Sequence, residues 1–132
     1  MKVALVTPPF KRTAILAELT AAPFHTGHPM RFLLKAKIPV QTGNASIKEG
    51  KLADTIQAIL EDIKPEAVYF SVEHGQRTAF IFVDLQEASQ IPAISEPWFL
   101  AFDASIEICP VMLPEDLGKA QDFFAAAVQK YN

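Results

Sequence analysis

Residues 67–85 read AVYFSVEHGQRTAFIFVDL, two runs rich in β-branched and aromatic side chains separated by Glu73-His74-Gly75-Gln76-Arg77. Such runs favour extended backbone, and Gly75 supplies the positive φ that a tight hairpin turn requires. Centring the turn on His74-Gly75 sets Tyr69 opposite Phe80, Phe70 opposite Ala79 and Ser71 opposite Thr78. Side chains alternate along a strand, so this register sorts the hairpin into two faces. Val68, Phe70, Val72, Ala79, Ile81, Val83 and Leu85 make an aliphatic face. Tyr69, Ser71, Glu73, Thr78, Phe80, Phe82 and Asp84 make a mixed aromatic and polar one.

The flanking segments extend this pattern. Residues 31–40 alternate, with Phe32, Leu34, Ala36, Ile38 and Val40 on one side and Leu33, Lys35 and Lys37 on the other, which predicts a strand. Ser46 and Glu49 have the spacing of a capping box, and Leu52, Ile56, Ile59, Leu60 and Ile63 follow at helical spacing until Lys64-Pro65 stops the helix. Downstream, Asp84-x-x-Glu87 opens a second helical region that Pro92 and Pro97 are expected to divide, with Ser95 as N-cap of the turn carrying Trp98, Phe99 and Phe102. Residues 105–113 alternate again, Ile106, Ile108 and Met112 against Glu107, Cys109 and Val111, and Pro110 marks an edge strand. Pro114 then starts a terminal helix with the stripe Leu117, Ala120, Phe124, Ala127, Val128 and Tyr131. The predicted order is β-α-β-β-α-β plus a C-terminal helix. This is the ferredoxin-like arrangement of the α+β class, a four-stranded antiparallel sheet with its helices on one face.

Composition narrows the function classes. The chain has 132 residues, half of them hydrophobic, which excludes disorder throughout and fits one globular domain. A net charge of -3, with no cluster of Lys and Arg, argues against sequence-independent binding of nucleic acid. Apolar runs such as residues 98–102 are far shorter than the ~20 residues of a membrane-spanning helix, so no membrane partner is expected. The single cysteine excludes an intramolecular disulfide. Composition changes at Met30: residues 1–29 hold three basic groups, one acidic group and four of the ten prolines, leaving nine basic against fourteen acidic groups after them. Residues 1–29 are expected to be an extension or a mis-called start upstream of a natural Met30, and residues 30–132 a single domain. Pro8-Pro9 interrupts the apolar run that a secretory signal needs, and a cytoplasmic location is expected.

At residues 31–113 the pattern resembles one protomer of the dimeric α+β barrel superfamily, in which two such sheets face each other across a twofold axis. The run KPEAVYFSVEHGQRTAFIFVDLQEASQIPAISEPWFLAFDASIEICPVMLPEDL is similar to small members of that group with no assigned activity. The resemblance implies a homodimer and leaves the chemistry open. Some members are cofactor-independent oxygenases, and others degrade haem with an Asn, Trp and His set. Here Trp98 and His74 are present, but His74 sits on the hairpin and Asn44 is not on the first strand, which disfavours haem degradation.

The residues argue for a dimer independently. With helices on one face, the other exposes Leu33, Tyr69, Phe80, Phe82 and Val111, an apolar area that a second copy would cover, the rival cover being residues 1–29 folding back. Lys35 and Lys37 are expected there on the central strand beside Asp84 and Glu107, because two covered ammonium groups need partners. The expected function is binding of a small acidic or aromatic organic molecule between the two sheets, lined by Lys35, Lys37, Tyr69, Ser71, Phe80, Phe82, Glu107 and Cys109. Two alternatives stay open. One is a cofactor-independent oxygenase or isomerase acting on a small aromatic metabolite, with an acid–base pair such as Lys35 and Glu107; the other is a purely structural dimer whose lysines are all paired. No cofactor and no metal are expected. His25-x-x-His28 has ligand-like spacing but no carboxylate or thiol nearby, and Cys109 has no adjacent histidine to activate it. Phosphate-binding glycine loops and the nucleophile-elbow and zinc-protease motifs are absent.

Overall fold

A computed structural model describes residues 30–132. The expectations for residues 1–29, including the two histidines, lie outside the described residues. Strand β1 spans Met30–Ile38, followed by helices α1 (Val40–Lys48) and α2 (Leu52–Ile63), strands β2 (Ala67–Glu73) and β3 (Gln76–Leu85), a 3-10 turn at Ala88–Gln90, helix α3 (Ile91–Phe102), strand β4 (Ser105–Pro110) and helices α4 (Pro114–Lys119) and α5 (Gln121–Tyr131). The class is α+β. The four strands form one sheet in the order β2-β3-β1-β4, with every neighbouring pair antiparallel, compatible with a ferredoxin-like fold.

The hairpin has the register expected from its sequence. Tyr69 pairs with Phe80, Phe70 with Ala79 and Ser71 with Thr78. His74 and Gly75 both take positive φ, 52° and 75°, the pairing of a two-residue turn whose twist matches the strands. Leu34, Ala36, Ile38, Ala79, Ile81, Val83 and Leu85 are buried on the aliphatic face beneath Ile59 of α2 and Ile94, Trp98 and Phe102 of α3. Lys64 ends α2 in the left-handed region before Pro65, and Pro110 lies on an edge strand, both as expected.

Four local expectations are corrected. The first strand ends at Ile38, and Pro39 begins a helix that takes Val40 out of the strand and into solvent. Ser46 lies inside this helix, so the Ser46–Glu49 capping box does not form; Lys51 is the N-cap of α2. Two tertiary contacts hold α1: the Thr42 hydroxyl donates to the Phe102 carbonyl at 2.6 Å, and Gly43 lets the Arg77 side chain pass where a Cβ would lie 2.6 Å from Nη1. Next, Pro92 and Pro97 do not divide the second helical region. Pro92 fits its first turn, and packing of Ile94, Trp98 and Phe102 carries α3 through Pro97 despite the lost backbone donor. Ser95 is therefore buried in mid-helix and caps nothing. The terminal helix, finally, is two helices that meet at Ala120.

Leu34 is fully buried at the centre of this core, and Leu34→Ala is expected to lower the unfolding free energy by about 2–5 kcal/mol through transfer and cavity terms. Trp98 is the only tryptophan and packs in the same cluster, so its fluorescence during urea unfolding reads the change.

Candidate functional site

The face opposite the helices is built by the odd-numbered residues of β1 with their register partners. Across β3 and β4, Leu33 is flanked by Phe82 and Cys109, Lys35 by Phe80 and Glu107, and Lys37 by Thr78 and Ser105. The middle of the face is apolar. Leu33, Phe80, Phe82 and Val111 are partly buried and Tyr69 is exposed, with Tyr69 and Phe82 meeting edge to face at 6.5 Å. At one end Arg31 makes a two-point ion pair with Glu66, which raises the Arg31 pKa and lowers that of Glu66 through their hydrogen bond.

At the other end the charges converge on Glu73. Lys35 Nζ donates to Glu73 Oε1 at 2.6 Å, and Lys37 Nζ lies 3.4 Å from the same oxygen. Glu107 Oε1 lies farther out, 3.9 Å from Lys35 and 3.7 Å from Lys37. Lys37 also donates to His74 Nδ1 at 3.1 Å. The Lys35 ammonium stands 5.6 Å above the Phe80 ring centroid, so the aromatic floor and the charged cluster are one continuous surface. Thr78 stands opposite Lys37 on β3, the strand between β1 and β2, and its short side chain leaves the span open for Lys37 and Glu73 to reach across.

The hydrogen bond to Glu73 holds the Lys35 pKa above its usual value, and the same bond holds Glu73 below the usual carboxylate range. Both shifts favour the charged forms. An ammonium has three donors, and the closest partners of Lys35 and Lys37 take one from each. Among the described residues, donor capacity therefore remains for a further acceptor.

Of the eight residues expected to line a site, Lys35, Lys37, Phe80 and Glu107 meet at the cluster, and Tyr69 and Phe82 form the adjoining floor. Ser71 and Cys109 lie at the margins on the two edge strands, both exposed. Two expectations are corrected. Asp84 pairs in register with Arg31 and is remote from the lysines. Glu107 is beyond hydrogen-bond distance of Lys35, and Glu73 takes that role. Arg77 points to the helical side and donates to Asn44 Oδ1. Glu73 is the residue that sequence reasoning missed as a partner. Its place on the mixed face was readable, but contact across an intervening strand was not. Trp98 belongs to the core and does not reach this face.

Among the described residues no three His, Cys, Asp or Glu side chains converge to hold a metal ion. No helix among them is long and apolar enough to cross a membrane. Compared with protein-family models, with curated proteins and with solved structures, the chain matches none.

Glu73 has a folded pKa below its unfolded value, so its contribution to stability is present above the ordinary carboxylate pKa and is lost as pH falls through the depressed value. Lys35 contributes below its unfolded value, and its share is lost as pH rises through the raised one. Urea midpoints are accordingly expected to fall on the acid side in the parent protein and to fall less steeply in Glu73→Gln. Equal acid slopes in the two proteins would show that the pair contributes nothing.

Proposed function

We propose that this chain is a ferredoxin-like protomer of a dimeric α+β barrel, and that the space between its two facing sheets binds a small organic molecule that is aromatic, acidic or both. One observation carries this reading: an aromatic floor of Tyr69, Phe80 and Phe82 runs into a pair of lysines that retain free donors. A planar ring would stack on the floor while its carboxylate or phenolate met Lys35 and Lys37, displacing the loosely held Glu107. Covering the floor with a second copy also removes from water an apolar surface of several hundred Å2 per protomer, worth several kcal/mol at ~25 cal/mol per Å2 before the cost of association.

Binding is favoured over acid–base catalysis by the same pair. The hydrogen bond makes Lys35 a weaker acid and Glu73 a weaker base, moving both away from the neutral poise that proton transfer rewards. The oxygenase or isomerase alternative would need a ligand that separates them.

The purified protein is expected to sediment as a dimer, and Phe82→Asp to sediment as a monomer. Thermal denaturation with millimolar benzoate or 4-hydroxybenzoate is expected to show a stabilising shift that Lys37→Met abolishes while remaining dimeric. A parent protein that sediments as a monomer overturns the barrel. A dimer that no aromatic carboxylate stabilises reduces the face to an interface of paired charges.

A further inference from the structure

Two apolar surfaces in the described chain are left over by the reading above. The first is a groove of about 540 Å3 between α2 and the outer strand, floored by Leu52, Ile56, Leu60 and Phe70 and bordered by Gln57 and Glu61. It exists because α2 covers the inner strands and stops short of β2, leaving Phe70 and Val72 of the aliphatic face 57% and 70% exposed. The second is α5, which follows the other edge strand, β4, and has no buried residue. Its side chains at positions 123, 124, 127, 128 and 131 fall within one face, and Phe123, Val128 and Tyr131 are 75%, 60% and 78% exposed. A surface helix of this composition is stable when that face is covered.

We propose that α5 of one copy docks into the α2–β2 groove of a second copy, and that the exchange is reciprocal. Three features of the chain select this occupant. The lengths match: α5 has 11 residues and spans about 16 Å, while the groove runs from Leu52 to Glu61, about 14 Å of helix rise. The charges match when the two helices run in the same direction. Lys130 at the end of α5 then lies beside Glu61 and Asp62, and Asp122 at its start lies beside Lys51. The topology matches as well, and this point rests on the face-to-face dimer proposed above. A twofold axis running along the strands sets β4 of one copy beside β2 of the other, so each chain leaves β4, its last strand, on the partner's groove side and has α4 and α5 still to place. The two helix contacts extend the sheet interface toward the ~1,200–2,000 Å2 of total surface that stable, specific association buries.

The test uses full-length chains in which Cys109, exposed and free, is replaced by Ser. Val128→Cys and Gln57→Cys variants are co-expressed as separate chains, oxidised mildly and run on a non-reducing gel. A covalent dimer is expected from the pair and from neither variant alone. Phe124→Asp with Val128→Asp, both on a helix with no buried residue, is expected to weaken dimerisation at least tenfold by sedimentation. A bond formed only within one chain, in a variant carrying both cysteines, overturns the proposal in favour of α5 folding onto its own groove. No bond in either setting overturns it in favour of another occupant. The sheet-face reading fails separately: a covalent dimer from the co-expressed pair together with an intact dimer in Phe82→Asp would leave the helix exchange standing and remove the barrel.

Discussion

The central position of β1 governs the rest of the molecule. It hydrogen-bonds to β3 on one side and β4 on the other, so its alternate side chains face two different environments along the whole strand. Leu34, Ala36 and Ile38 go down into the core, where α2 and α3 close over them. Leu33, Lys35 and Lys37 are thereby forced onto the opposite face. A register slip of one residue would bury both ammonium groups among Ile81, Val83 and Trp98, at a cost that no partner there could offset. The hydrophobic core and the charged cluster are consequences of a single pairing.

That pairing also shapes the chemistry of the open face. Lysine and glutamate side chains are long enough to meet across an intervening strand only if the residue between them is short, and Thr78 of β3 meets this condition for Lys37. Glu73 becomes the hub of the cluster because its strand ends there and its carboxylate is free to turn inward. Glu107, directly across from Lys35 on β4, is held less closely although it is nearer in register. The result is a surface with a fixed ionic end and an aromatic middle.

Among the described residues, apolar side chains stay exposed at one edge of the sheet and on the last helix. Two principal helices cannot cover four strands of this width, and the shortfall falls on β2, whose aliphatic side chains remain in water. Beyond β4 and α4 the chain ends in helix α5, which has no buried residue among the described residues. The helix exchange proposed above rests on these two exposed apolar surfaces.

Much of this was legible in the amino-acid order. The hairpin register, the two faces of β1, the helical stripe of α2 and the edge position of β4 follow from side-chain alternation and from Gly75, Lys64-Pro65 and Pro110, because local backbone chemistry and a period of two or 3.6 residues are properties of neighbouring residues. Tertiary structure decided the remainder. Helix α1 depends on Thr42 reaching the end of α3 and on Gly43 admitting Arg77. Helix α3 runs through Pro97 because Trp98 and Phe102 are anchored in the core. The pairing of Lys35 with Glu73 in place of Glu107 depends on a contact two strands away. Each of these joins residues far apart in the chain, and the free energy of a contact between distant residues is set by the packing that brings them together and not by the sequence around either one.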